Sequence, residues 1–323
     1  MSAVDITKLQ QYCEEYKKDL IMLAVTSASE MMQHFNVIPG IKDKYTLTTL
    51  EMKKLLKPYK KDWSPDDEKA ALVPRTLRVE IGQVELEEEP LKYRKTYLGH
   101  LMRTGVNPDD HPFEKDFLES IVRQVGADIN DELVFFGERD PDGSDPASVN
   151  DGFFKIIEDA ITANELTPIT VGAIDATNAV AKLKLFYRSI PKAYRRKDVN
   201  MYMSYDKYDA YCDNYQAENG ALPYNTRYEK LTLEGSGGRC TLVPLSAMGD
   251  SERIIISPRE NMCIGVDLES DQEDVQITKG INPKVVGFFL ALAFGVQIAS
   301  LKAVWVNDVE EEEPEEPEEP ENP

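Results

Sequence analysis

The residue types that most readily bind metals or act as nucleophiles are few in this sequence and lie far apart. Zinc sites and redox pairs use cysteines, or cysteines with histidines, at short regular spacings such as Cys-x-x-Cys. No such spacing occurs, and we therefore expect reduced thiols, with no metal site and no cofactor held by these side chains. The residues concerned are Cys13, Cys212, Cys240, Cys263, His34, His100 and His111.

A glycine-rich loop at residues 235–238 comes nearest to a phosphate-binding motif. A P-loop needs the pattern GxxxxGK followed by Ser or Thr and then by a helix. Here Arg239 and Cys240 lead into an alternating, strand-like segment instead. The loop therefore predicts a tight turn between strands rather than a nucleotide site.

A second candidate for binding chemistry is a group of four cations that follows a predicted helix. The group could bind an anion. Positive charges at the end of a helix also offset the helix dipole, and we favour this structural interpretation while the anion site stays open. The cations are Lys192, Arg195, Arg196 and Lys197.

Sequence signatures of catalysis are missing as well. The chain contains no GxSxG, no HExxH, no Walker motif and no dinucleotide-binding fingerprint. Adjacent carboxylates such as Asp109 and Asp110 are more typical of a solvated surface than of an acid-base pair. We therefore predict no catalytic residues and a protein that is not an enzyme. The alternative that stays open is a soluble α+β enzyme whose site is assembled from distant residues.

The charge of the chain is negative and unevenly distributed. With 323 residues, of which 41% are hydrophobic, the chain can form one large core or two smaller ones, and its net charge is −21. Asp308 and nine glutamates, with no Lys or Arg, lie in the last sixteen residues. Like charges interrupted by prolines cannot form a helix or a core, so residues 310–323 are predicted to be a disordered acidic tail. An acidic body also predicts weak binding to nucleic acids, because affinity for phosphate backbones comes mainly from Lys and Arg.

Neither a membrane segment nor a secretion signal is recognisable. No stretch approaches the roughly 20 apolar residues that a membrane span needs. The N-terminus also lacks the basic start and apolar core of a signal peptide. We therefore expect no membrane partner and a protein that stays in a cytoplasm.

The N-terminal region, residues 1–40, contains an amphipathic helical pattern. Its apolar residues recur at spacings of three and four, which places them on one face of a helix. The helix either docks on the protein's own core or is an arm that reaches another chain, and both alternatives stay open. The apolar positions are Ile6, Leu9, Cys13, Tyr16, Leu20 and Leu23.

Residues 42–91 are highly charged and predict a long two-stranded excursion. A short helix is predicted at residues 50–57, LEMKKLLK. The stretch RTLRVEIGQVELEEE then alternates between Leu77 and Leu86, with a slip at Gly82 and Gln83 that predicts a β-bulge. An isolated hairpin is marginally stable in water, so we expect its burial to come from another surface.

Helical patterns dominate the middle of the chain. Residues 111–137 predict one long helix, because Phe113, Phe117 and Ile121 begin a series of apolar residues that recurs mostly every four positions. Shorter helices are predicted at residues 151–166 and 178–190, with a strand and turn at 167–175 between them.

Residues 199–309 predict a strand, a tyrosine-rich helix, the glycine-rich turn, two more strands and an amphipathic segment that ends in a strand. Ser204 is the predicted N-cap of the helix, and Gly220 lies past its end. The helix carries a tyrosine stripe with a packing role, at residues 205, 208, 211 and 215. Further along we predict a core residue at Met248, a central strand at residues 254–256, and turns at Pro258, Asn261 and Gly265.

This order of elements resembles the C-terminal half of the tailed-bacteriophage major capsid proteins of the HK97 fold. The most specific stretches are MYMSYDKYDAY, RIIISPRENMCIG and FGVQIASLKAVWVN, within a resemblance that covers approximately residues 40–307. It implies an α+β, HK97-like fold. The implied parts are an N-terminal arm (1–40), an extended β-hairpin loop region (41–100), a peripheral domain with a long spine helix (101–150 and 270–309) and a central, axial domain (151–269). The acidic tail at 310–323 departs from the usual pattern.

The resemblance also implies a function. It implies a structural subunit that self-assembles into hexamers and pentamers of an icosahedral capsid around double-stranded DNA, assembled in the bacterial host cytoplasm. The implied partners are other copies of the chain, a scaffolding protein, a portal, a maturation protease and DNA that is contacted without sequence specificity. In this family the extended loop lies over the adjacent subunit, which would supply the missing burial. An encapsulin-like shell around protein cargo is the alternative within the same class.

Overall fold

The computed structural model describes residues 33–52, 56, 58–59, 70–88, 113–220, 232–267, 274–279 and 286–308. Most of the predicted N-terminal arm and the acidic tail lie outside the described residues. The last part of the predicted arm is not helical, because Asn36–Pro39 form a strand.

Eleven strands lie in the described part of the chain. They are β1 (Asn36–Pro39), β2 (Lys44–Met52), β3 (Ala70–Arg78), β4 (Glu80–Glu88), β5 (Val199–Met203), β6 (Cys240–Pro244), β7 (Ile255–Ser257), β8 (Met262–Val266), β9 (Asp274–Lys279), β10 (Val286–Ile298) and β11 (Trp305–Val306).

The described helices are fewer than the strands. The α-helices are α1 (Phe113–Asp128), α2 (Phe153–Thr162), α3 (Ala179–Ser189) and α4 (Tyr205–Asn219). A π-helical turn at Ile129–Leu133 continues α1, and short 3₁₀ turns occur at Pro146–Ser148, Ser246–Met248, Arg259–Asn261 and Leu301–Ala303.

The chain divides into two compact units. The first comprises residues 1–159 and 259–301, and the second comprises residues 160–258 and 302–323. A five-stranded sheet and the two-stranded β2–β3 hairpin belong to the first unit, and a four-stranded sheet with the order β11-β7-β5-β6 belongs to the second. The mixture of helices and sheets confirms the predicted α+β class.

Strand β10 organises the first unit. It pairs with β4 along one edge and with β9 and β8 along the other, all antiparallel, and β1 adds to β8 in parallel. Positions 290–296 are all buried, so this strand is covered on both faces and its sequence is continuously apolar. The amphipathic segment expected here is therefore mostly one strand. A strand does end the segment, as predicted, because β11 follows.

The predicted long helix is confirmed over residues 113–133, including its π-helical last turn, in which the Val134 N–H donates to the carbonyl of Ile129 at 3.1 Å. Residues 134–136 form turns instead. The end of this helical segment packs into an aromatic cluster. The ring centroids of Phe35 and Phe153 are 5.5 Å apart and stacked, and the Phe135 ring lies 5.5 Å from that of Phe153.

The second unit packs α3 and α4 beside its sheet around a core of hydrophobic side chains. The helices predicted at 151–166 and 178–190, the strand at 199–204 and the tyrosine-rich helix are confirmed. Gly220 ends α4 with a left-handed φ of 69°, as a C-cap glycine should. Ser204 occupies the N-cap position, but its hydroxyl donates to the carbonyl of Ser251 at 3.1 Å instead of capping the helix.

Two local predictions in this region are wrong or shifted. Residues 167–175 form an irregular loop with one β-bridge, from Ile169 to Asn307, and the Lys207 ammonium of α4 donates to the Ile174 carbonyl of this loop at 2.9 Å. Asn214 of α4 accepts the Val180 N–H at 2.8 Å and donates to the Thr177 carbonyl at 2.9 Å. The central strand is Ile255–Ser257, one residue later than predicted.

Candidate assembly interface

The β2–β3 hairpin of the first unit is buried at one end and exposed at the other. Its register pairs Lys44 with Arg78 at the base and Met52 with Ala70 toward the tip. Since directly opposed residues share a face, Leu47, Arg75 and Leu77 lie on one face of the hairpin, and Thr48, Leu50, Leu72 and Pro74 lie on the other.

The base of the hairpin is anchored on the five-stranded sheet. Leu77 is fully buried and Leu47 is 9% exposed, in a cluster with Ile41, Val79 and Ala293. Polar contacts surround this cluster. The Thr49 hydroxyl donates to the Ala299 carbonyl at 3.0 Å, the Arg75 guanidinium donates to the Gln297 side-chain carbonyl at 3.3 Å, and the Gln297 amide donates to the Thr76 carbonyl at 2.9 Å.

The outer half of the hairpin presents apolar side chains to solvent. Leu50 is 52% exposed, Met52 is 61% exposed and Leu72, directly opposite Leu50, is 67% exposed. Leu56 and Tyr59, beyond the strand, are almost fully exposed. Single exposed apolar residues are ordinary, but a contiguous apolar face on a projecting strand pair is typical of a surface that another chain covers. We call Leu50, Met52 and Leu72 the tip face.

The sequence-based description of this region needs two corrections. Residues 77–86 do not form one strand with a bulge at Gly82. The chain leaves the hairpin at Val79, and β4 then pairs with β10 in unbroken register from Glu80 to Glu88, with Gly82 opposite Leu292. The predicted helix at 50–57 is also wrong at residues 50–52, which belong to β2; residues 53–55 and 57 lie outside the described part.

A pair of glycines forms the seat of the hairpin base. Gly265 of β8 lies directly opposite Gly295 of β10, so no side chain rises from the sheet at this point. A Cβ at Gly295 would lie 2.0 Å from the Arg78 carbonyl oxygen, and one at Gly265 would lie 3.0 Å from the Leu77 side chain. Gly265 is therefore not a turn residue as predicted but a buried strand residue that lets the hairpin backbone cross close to the sheet.

Glu80 lies where the hairpin meets the sheet and binds two arginines. Its carboxylate oxygens are 2.9 Å from Arg78 Nε and 3.0 Å from the Arg139 guanidinium. The two ion pairs tie the first residue of β4 to the segment after α1. Next to them a cavity of about 540 Å³ is lined by β4, by the end of α1 and by the polar loop at 139–149. Its lining mixes carboxylates, prolines and aliphatic side chains.

The thiols lie where nucleophilic chemistry is disfavoured. Burial raises the pKa of Cys240 to about 12 and also raises the pKa of Cys263. Burial raises the pKa of the half-buried Cys212 too. All three are free cysteines that hold their protons at neutral pH. Cys13 lies outside the described residues.

The remaining residues with possible chemistry do not converge. His34 is half-buried, whereas His100, His111, Asp109 and Asp110 lie outside the described part. Across that part no group of three or more His, Cys, Asp or Glu side chains could hold a metal ion. In the same residues no helix is long and apolar enough to cross a membrane.

The glycine-rich loop is a tight turn, as predicted. Gly235, Gly237 and Gly238 all have left-handed φ values, between 66° and 79°, and the loop ends at the start of β6. In front of it, the Tyr211 hydroxyl accepts the Glu234 N–H at 3.2 Å, and burial raises the pKa of Tyr211 to about 12. The tyrosine stripe therefore packs here, as predicted, with Tyr211 buried and Tyr205 exposed.

The four cations lie beyond α3. Arg188 is the basic residue in the last turn of that helix, whereas residues 192–197 form the following turns. Because the dipole effect falls off within the last turn, it accounts for Arg188 better than for the four cations.

Solved structures of several capsid proteins have a fold similar to that of this chain. A chain of the satellite phage P4 procapsid matches with a TM-score of 0.54 and 12% identity over 89% of this chain and 97% of that chain. A chain of Gordonia phage Cozz matches with a TM-score of 0.52 and 13% identity, over 88% and 87%. The protein has the HK97-like fold. The capsid of an empty GTA particle matches this fold as well, with a TM-score of 0.51 and 14% identity over 87% and 89% of the two chains.

Sequence comparison alone does not reach this result. No family model matches the chain, and no curated protein does. With identities of 12–14%, the likeness lies in the HK97-like fold and not in individual residues.

Sequence reasoning missed the first strand of the hairpin. Residues 44–52, KYTLTTLEM, are rich in β-branched and aromatic residues and could have been recognised as a strand from that composition. The tip face was not recognisable in the same way, because it exists only once β2 and β3 are paired in their observed register.

Proposed function

We propose that this protein is the structural subunit of an icosahedral phage capsid that assembles as hexamers and pentamers around double-stranded DNA. The observation that carries the proposal is the HK97-like fold in combination with a projecting hairpin whose base is buried and whose tip face is exposed. The structures named above are phage or particle capsids. A fold shared with them favours a building block over a catalyst.

The hairpin supports assembly on physical grounds. Leu50 and Leu72 are more than half exposed in the single chain, and a surface that covers them would stabilise the assembly by up to about 1.5–3 kcal/mol for each leucine. Stable interfaces bury more than about 1,000 Å² in total, which an extended hairpin can supply along its whole outer half. The covering surface in this proposal is a neighbouring copy of the chain.

The domain assignment is part of the proposal. It assigns residues 41–100 to the extended loop region, residues 101–150 and 270–309 to the peripheral domain with its spine helix, and residues 151–269 to the central, axial domain. The scaffolding protein, the portal and the maturation protease are further proposed partners, and DNA would meet the shell without sequence-specific contacts. The proposed location is the virion capsid, after assembly in the host cytoplasm.

Negative-stain microscopy of the purified protein tests the proposal directly. We expect closed particles, or capsomers that close when a scaffold is supplied. DNA that resists nuclease inside particles from the native host supports the phage capsid, whereas a protein cargo without DNA supports the encapsulin-like alternative. A protein that stays monomeric at high concentration, with or without a scaffold, contradicts both.

Substitutions on the tip face test its role separately. Replacing residues 57–88 by a linker would remove β4 from the sheet, and so the change must be confined to the tip. We expect the triple variant Leu50→Ser, Met52→Ser, Leu72→Ser to melt like the wild type but to sediment as monomers or small capsomers.

The matched control is the double variant Thr46→Ala, Thr48→Ala, on the same face nearer the base. We expect it to assemble normally. If the triple variant forms particles as well as this control does, the hairpin is not the intersubunit contact.

A further inference from the structure

The turn at residues 192–197 carries several positive charges that form no ion pair within the described part of the chain. Lys192, Arg196 and Lys197 are exposed, and Arg239 joins them because its guanidinium donates to the Arg196 carbonyl at 2.9 Å. Among the described residues none of these side chains, nor that of Arg195, has a carboxylate within ion-pair distance. We call these five cations the basic turn.

The basic turn is joined to the segment from which the acidic tail starts. The Tyr194 ring meets the Trp305 ring of β11 edge to face, with centroids 4.8 Å apart, and Lys197 Nζ lies 5.5 Å from the centroid of Tyr194. Three residues after Trp305, the Asp308 N–H donates to the Ile169 carbonyl at 2.9 Å. Three residues span at most about 10 Å, so the tail begins next to the basic turn.

The chain that follows has the complementary charge and sufficient length. Residues 308–323 contain ten carboxylates and no cation. Fifteen residues reach up to about 50 Å when extended, which is several times the distance needed. Tethering also gives the tail a local concentration on the order of millimolar, whereas a free polyanion must compete from solution.

We propose that the acidic segment 308–323 binds the basic turn of its own chain and so prevents the turn from binding nucleic acid phosphates. Each exposed ion pair is weak, up to about 1 kcal/mol, but several cations facing ten tethered carboxylates act together. Lys and Arg side chains bind phosphate backbones by releasing counterions, and a carboxylate-rich segment competes for the same groups. This inference goes beyond the capsid proposal and holds for the single chain as well.

Measurements of DNA binding test whether the acidic segment competes with nucleic acid for the basic turn. The probe is a fluorescent 20-nucleotide single strand, followed by anisotropy in low salt. We compare the full chain, a chain that ends at residue 309, and a chain of full length in which the nine tail glutamates are replaced by glutamine. We expect both altered chains to bind the probe about tenfold more tightly than the full chain, and the difference to vanish at high salt.

A charge reversal identifies the site of competition. In the chain that ends at residue 309, we expect the triple variant Lys192→Glu, Arg196→Glu, Lys197→Glu to abolish the increase in affinity for the DNA probe. The control reversal Lys42→Glu, Lys44→Glu, on exposed cations of the first unit, should leave the gain in place. An unchanged DNA affinity after removal of the tail overturns the proposal, and so does a gain that survives the reversal at 192–197.

Zero-length carbodiimide cross-linking of the full chain tests the contact itself. We expect amide links from Lys192 and Lys197 to the tail glutamates, read by peptide mass spectrometry. Mixing isotope-labelled with unlabelled chains separates links within one chain from links between chains. Links spread evenly over all lysines, or found only between chains, overturn the same-chain assignment.

Discussion

The four-stranded sheet of the second unit and the hairpin of the first place their apolar residues in opposite environments. Met201 and Ile256 face each other in adjacent strands and are fully buried, whereas Leu50 and Leu72, also directly opposed, are more than half exposed. Strand pairing is therefore equally regular in the two regions while burial differs. The apolar side chains of the sheet are therefore buried within its own unit, whereas those of the tip face are left exposed by the described residues.

The greatest loss of stability is expected from a substitution that opens a cavity in the core of the second unit. Phe186 of α3 is fully buried, and its neighbour Leu185 is 54% exposed on the same helix. We expect Phe186→Ala to lower the free energy of unfolding by about 3–5 kcal/mol, and Leu185→Ala to change it by less than about 0.5 kcal/mol. Urea denaturation followed by circular dichroism measures both. Equal losses would show that α3 does not bury this face.

A second pair of variants divides the hairpin itself. We expect Leu77→Ala, at the buried base, to cost about 2–4 kcal/mol because a cavity opens above β8. Leu72→Ala, at the exposed tip, should leave the unfolding midpoint nearly unchanged. Chemical denaturation of the unassembled protein provides the comparison. A large loss at Leu72 would mean that the tip is covered within the chain, and the contrast between base and tip would fail.

The buried thiol of Cys240 gives a pH-dependent test of the core. Its pKa is raised from 9.0 to about 12 by burial, so the folded state holds this proton more tightly than the unfolded state does. The stabilisation is complete below pH 9 and is lost as the pH rises toward 12. We expect the free energy of unfolding to fall by up to about 1.4 kcal/mol between pH 9 and pH 10.

The variant Cys240→Ala is the control for this slope. It should be less stable at pH 8 because it leaves a small cavity, but its stability should vary less between pH 9 and pH 10. The same slope in wild type and variant would assign the effect to other groups. Tyr211, whose pKa is also about 12, contributes mainly above pH 10.

The smallest effect is expected for the acidic tail. Deletion of residues 310–323 should leave the melting temperature within a few degrees, because a run of like charges contributes no core. Differential scanning calorimetry at moderate salt checks this. A loss of cooperative folding on deletion would show that the tail belongs to one of the two units.

The elements that could be predicted from the sequence are those that depend on residues close together in the chain. The apolar spacing from Phe113 onward and the Ser204 and Gly220 boundaries of α4 predict helices correctly, because helical contacts join residues three or four positions apart. The glycine-rich turn could be predicted from the sequence in the same way. Only glycine readily adopts the left-handed conformations found there.

Other elements depend on partners distant in sequence. The apolar run of β10 does not distinguish a helix from a strand, and its identity is fixed by pairing with β4, some 200 residues earlier in the chain. The strand break at Val79 has the same origin, since β3 pairs backward with β2 while β4 pairs with β10. The basic turn was visible as a cluster, but its position beside Trp305 requires the folded second unit.

The base of the hairpin lies on the sheet at Gly265 and Gly295, so a small rotation at this point moves the tip by a larger distance. Leu50 and Leu72 lie about 20 Å along β2 and β3 from the base pair of Lys44 and Arg78, so a rotation of about 5° at the base displaces them by roughly 1.7 Å. That displacement is about a third of the spacing between neighbouring strands in a sheet. A single methyl group at Gly295, which would collide with the Arg78 carbonyl, would therefore re-aim the far end of the hairpin without changing any residue there. Two positions without a side chain therefore determine how closely the base of the hairpin lies on the sheet.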